Sequence, residues 1–146
     1  MQSLDKSGLN LDPMFYWQWV MKNKSERIVP RVVFRGVPQD VAEELGLNLP
    51  NVDILVFDTV PNGCFPIYDN VKLYERNRFT EKQYLQQLSL ADYFYSENEK
   101  ENIEAGLCGV KVLETPDELW KNREKLHVLT VHERIDCWEY WKNLLT

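Results

Sequence analysis

The sequence is poor in the residues that most often announce a chemistry. Its 146 residues include three cysteines and two histidines. Cys64, Cys108 and Cys137 are odd in number and far apart, and no Cys-x-x-Cys occurs. Neither a disulfide framework nor a thiolate zinc site is therefore expected, and a cytoplasmic, reducing location is. His127 and His132 stand five apart with no metal-ligand spacing around them, so neither a metal nor a cofactor is expected. No complete catalytic or nucleotide-binding signature is found. Long apolar runs are also missing. The longest, Met14 to Met21, is broken by Gln18 and falls far short of the roughly 20 residues of a membrane span. No basic, apolar leader opens the chain, so no secretion signal is expected, and there is no repeat or low-complexity tract.

What is present describes an ordinary globule: 44% hydrophobic, 12% aromatic and 27% charged residues. A chain of this length buries roughly two-thirds of its unfolded surface and needs no staples. One domain over residues 1–146 is expected, with 1–11 as a flexible N-terminal segment. The net charge of −6 is unevenly spread. Met1 to Gly36 carries six basic and three acidic residues, and the remainder eleven basic and twenty acidic, so +3 precedes −9. An acidic body disfavours nucleic acid and anionic membrane. It favours solubility or a basic protein partner.

Asp12-Pro13 reads as a helix start, followed by an aromatic helix through Trp17 and Trp19 whose apolar groups go all the way round. Val32-Val33-Phe34 is strand-like, 38–46 a short helix closed by Gly46, and Val52 to Val60 a strand covered on both faces. Residues 61–70 read as a loop and 71–75 as a short strand. Thr80 to Gln83 is a capping box opening a helix whose apolar side takes Tyr84, Leu85, Leu88, Ala91 and Tyr95. An acidic helix over 96–106 ends in glycine, and 109–114 is a strand. Thr115-Pro116-Asp117-Glu118 starts a further helix running through Leu119, Trp120 and Arg123. Leu126 to Val131 reads as a strand, and 132–145 as a final helix with Ile135, Trp138, Trp141 and Leu145 on one side. Two βαβ-like units result. The expected fold is α/β (with α+β as its variant): a central, mostly parallel sheet of about four to five short strands between helices.

Ligands of open α/β sheets gather at the carboxyl ends of strands. That rule selects Arg35 and Gly36, Asp58 and Thr59 with the loop through Asn62 and Cys64, Glu114 with Thr115, and His132 with Glu133. In an enzyme, Arg35, Gly36, Thr59, Asn62 and Cys64 would hold an anionic ligand, while Asp58, His132 and Glu133 would handle protons. Cys64 with His132 would form a nucleophile and base pair if the fold joins them. In a binding protein, the partner contacts would be Trp17, Trp19 and Tyr140 as aromatic anchors and Glu97, Glu99 and Glu101 as an acidic face.

Val32 to Val37 (VVFRGV) is similar to the strand-borne arginine motif of NAD-dependent ADP-ribosyltransferases, which would imply that Arg35 orders an NAD site. The resemblance covers six residues. The family's Ser-Thr-Ser strand is missing, its Glu-x-Glu is matched only by Glu97-Asn98-Glu99, and the βαβ pattern departs from that fold.

Small size, acidity and many aromatics favour a protein that acts by occupying a partner, as an inhibitor, immunity or anti-defence protein does. The alternatives are a small enzyme or sensor for a nucleotide-like or phosphorylated ligand at the strand ends, and a homo-oligomeric module joined through the aromatic N-terminal helix.

Overall fold

A computed structural model describes residues 29–35, 49, 51–58 and 70–145. The segment 1–11, the aromatic helix with Trp17 and Trp19, the helix at 38–46, and Gly36, Thr59, Asn62 and Cys64 lie outside the described residues. The architecture is α/β, built on five parallel strands: β1 (Arg31–Arg35), β2 (Asp53–Asp58), β3 (Val71–Glu75), β4 (Tyr93–Tyr95) and β5 (Lys111–Val112). Their spatial order is β3-β2-β1-β4-β5. The helices are α1 (Glu81–Ser89), α2 (Glu99–Leu107), α3 (Glu118–Lys121) and α4 (Val131–Leu145). Among the described residues, no helix is long and apolar enough to cross a membrane.

The side-chain period of two divides the strands between two cores. Val33, Leu55, Phe57 and Phe94 face one side and meet Tyr84, Leu85 and Leu88 of α1, Ala105 and Leu107 of α2, and Trp138 and Trp141 of α4. Val32, Phe34, Ile54, Val56 and Tyr93 face the other side and meet Leu113, Leu119 and Leu129. Register aligns Val33 with Leu55 and with Phe94, so each layer is continuous across the sheet. The unbroken apolar run in β2 is what burial on both faces requires: Ile54 to Phe57 are all buried.

Helix ends follow local chemistry. Thr80 and Gln83 form the expected capping box of α1. Asn98 caps α2 through its side-chain oxygen. Gly106 does not end α2, as the sequence suggests. It lies inside the helix, where an added Cβ would come within 2.0 Å of the Trp141 ring, and the left-handed residue after the helix is Gly109, with φ of 76°.

Three expected elements differ. Leu126 to Val131 is not a strand. Thr130 is the N-cap of α4, with its hydroxyl accepting from Glu133 N–H and Glu133 accepting from Thr130 N–H, while Leu129 N–H is drawn to Asp92. Tyr95 belongs not to the α1 helix but to the short strand β4, so the second βαβ unit is β4-α2-β5. The helix at Glu118 closes after one turn, and Arg123 lies in a separate 3₁₀ turn. There Glu118 folds back to accept from the N–H groups of Glu114 and Thr115.

Candidate functional site

Strand order decides where a crevice forms. The chain passes from β1 outward to β2 and β3, then crosses to lay β4 on the other flank of β1. The carboxyl ends of β1 and β4 therefore form the topological switch point, the usual ligand position of such sheets. Arg35 ends β1 and Ser96 follows β4. The parallel sheet accords with the βαβ reading and not with the resemblance of VVFRGV to a transferase motif.

At this switch point Arg35 pairs with Glu101 of α2 at 2.8 Å. The Ser96 hydroxyl donates to the other oxygen of the same carboxylate, accepts from Asn98 N–H, and the Ser96 carbonyl accepts from the Asn102 side chain at 3.1 Å. Two guanidinium groups stand over the Tyr84 ring, Arg35 at 5.1 Å and Arg76 at 4.2 Å from its centre. Arg76 is itself tied to Glu81 at 2.7 Å. Burial raises the Tyr84 hydroxyl pKa against the opposing pull of Arg35. Burial likewise pushes the Glu104 carboxyl up to about 7, helped by Glu81 and Glu101 and opposed by Arg35 and Lys100. Arg35 is thus shared between the Tyr84 ring and the Glu101 carboxylate, with Glu104 near enough to feel its charge.

The sequence-selected residues do not meet there. Asp58 ends β2 in register with Glu75, two strands from β4. His132 and Glu133 occupy the first turn of α4, at the opposite end of the sheet. There Asp92, just ahead of β4, receives Arg31 N–H, Leu129 N–H and the Arg134 guanidinium. No strand precedes His132 to make it a strand-end residue. Glu133 is occupied: it accepts from Thr130 N–H and pairs with His127 at 2.8 Å. Burial alone would raise its pKa, but these two partners hold it below the ordinary carboxylate value. His127, read from the sequence as packed in a strand, is exposed in the irregular segment ahead of α4. Its pKa is raised by the Lys125 carbonyl and then by Glu133.

The acidic stretch divides. Glu97 and Glu99 are exposed, whereas Glu101 is turned inward to Arg35. Glu114 and Thr115, also at a strand end, are exposed beside β5. Alongside them runs a feature the sequence did not disclose: an open groove of about 570 Å³ between β5 and α4, with Ser96 and Asn102 at its end nearest the switch point. Cys137 and Trp141 are half-buried in it. Tyr140, on its rim, is 60% exposed, and Leu144 one turn on is 59% exposed. Burial raises the Cys137 pKa, and fully buried Cys108 is pushed up to about 12, so neither thiol is activated. Among the described residues no cluster of three metal-ligating side chains forms. No family model matches the chain, and neither a curated protein nor a solved structure is found to be similar to it.

Proposed function

We propose that the protein acts by binding another protein, in the manner of an inhibitor, immunity or anti-defence protein, through the surface formed by β5, the outer side of α4 and the acidic start of α2. The observation that carries this reading is the pairing of Tyr140 and Leu144, large apolar side chains left exposed on consecutive turns beside an open groove. Exposed aromatic anchors next to a concavity are the usual form of a binding hot spot. Glu97 and Glu99 extend the surface with negative charge, which suits a basic partner and a fast, salt-sensitive encounter.

The test is affinity capture from the native host with the wild type beside a Tyr140→Ala/Leu144→Ala double variant. A protein retained by the first and lost by the second, at equal helix content, supports the reading. Retention of nothing, or retention indifferent to the double variant, counts against it. A second reading, a small ligand at the β1/β4 crevice, is favoured by the position of Arg35 at the switch point and by the near-neutral titration of Glu104. Stabilisation of the protein by a nucleotide, abolished by Arg35→Ala, would decide for it.

A further inference from the structure

The groove lies along a sheet edge. In the β4-β5 ladder, Lys111 N–H donates to the Asp92 carbonyl at 3.0 Å and Leu113 N–H to the Phe94 carbonyl at 2.8 Å. The pleat then turns the N–H and C=O of Val112 to the open side. The neighbouring donors are already used: Val110 N–H bonds to Ala105 and Glu114 N–H to Glu118. Among the described residues, Val112 is thus the one position on this edge that can both give and take a backbone hydrogen bond. Around it the groove offers acceptors. Glu114 and Asp136 are exposed carboxylates in no ion pair among the described residues, and the side-chain oxygen of Asn102 is buried with no hydrogen-bond partner. Lys111 is the one cation in the lining among the described residues. Tyr140 and Trp141 supply the apolar wall.

We infer that this groove receives an extended, basic segment of a partner protein, which adds to the sheet at Val112 and places a lysine or arginine against Glu114, Asp136 and Asn102. The inference rests on the binding reading above and specifies its partner. Charge complementarity selects the occupant. A second copy of this chain would set the same carboxylates and the same net charge of −6 against one another, and would have only Val112 to pair with Val112. With two backbone bonds available, affinity must come mainly from side chains: a cation to the carboxylates and an apolar residue, two positions away on the same face, to Tyr140 and Trp141.

The experiment is selection of a phage-displayed random peptide library against the full chain, followed by binding measurements on the enriched peptide. Enrichment of sequences with a lysine or arginine two positions from an apolar residue is expected. Glu114→Lys/Asp136→Lys should weaken the peptide by roughly tenfold or more, the scale of a lost charge-assisted contact. Methylating the peptide nitrogen that bonds to Val112 should weaken it similarly. Both changes leave the core of the chain unsubstituted. No enrichment, an acidic or uncharged consensus, or undiminished binding to the charge-reversed variant overturns the inference. A host protein lost on Tyr140→Ala/Leu144→Ala but indifferent to the charge reversal overturns it too, while leaving the binding reading intact. The absence of both peptide and protein ligands overturns both.

Discussion

The two ends of the sheet each join a strand to a helix through an arginine and a carboxylate, yet they are built differently. At the amino end, Asp92 and Arg134 are 0% and 1% exposed, and every neighbour contributes. Asp92 accepts two backbone N–H groups besides the guanidinium, and Arg134 also donates to the carbonyls of Ser89 and Gly109. At the carboxyl end, Arg35 and Glu101 are 19% and 21% exposed, and the pair stands among Glu81, Glu104 and Tyr84. A buried charge needs its partners fixed at folding, because desolvation leaves no alternative. A pair that keeps about a fifth of its surface in contact with solvent, with the Glu104 carboxyl nearby, remains open to exchange. The first end is therefore architecture, and the second is continuous through Ser96 with the groove on which the proposed binding surface stands.

The largest effect should come from breaking the amino end. Asp92→Ala or Arg134→Leu removes one partner of a buried pair, and a loss of about 3–5 kcal/mol is expected, read as a lowered midpoint in chemical denaturation. At the α2-α4 contact, Gly106→Ala drives a methyl into Trp141, with an expected cost of about 1–3 kcal/mol and a change in tryptophan fluorescence. Thr130→Ala removes half of the α4 capping box and should cost about 1 kcal/mol, seen in the thermal midpoint.

The carboxyl end should show itself through pH. Glu104 titrates at about 7 in the fold, above its ordinary 4.5, so the folded state holds its proton more tightly than the unfolded one. The stability this contributes is complete below pH 4.5 and is lost as pH rises through about 7. Denaturation midpoints measured across that range should fall with rising pH in the wild type and flatten in Glu104→Gln. A slope unchanged by the substitution would show that the two ends differ less than the comparison claims.

Much of the fold was legible because it depends on local pattern. The apolar run of β2 marked a strand covered on both faces, and the Thr80 capping box placed α1. What misled was short or set by tertiary contact. β4 has three residues, too few for a period to show, and Leu126 to Thr130 resembles a strand but is held as coil by Asp92, more than thirty residues away. One signal was available and unused: Thr130-Val131-His132-Glu133 has the spacing of a capping box, which places a helix start where a strand was expected. At the site, Arg35 could be named from its place at a strand end. Its partner Glu101 lies 66 positions later and is chosen by the β4 crossover, which no local pattern encodes. The groove depends on how α4 seats against α2, through the Gly106 and Trp141 contact, and is equally invisible along the chain.

The account turns on the open edge at Val112, whose amide reports directly. Hydrogen exchange of the free protein should show that amide exchanging fast beside protected neighbours in β4. Adding the selected basic peptide should slow it, together with amides of α4 near Tyr140. Val112 exchanging equally fast with and without bound peptide would contradict the placement of the binding surface on this edge.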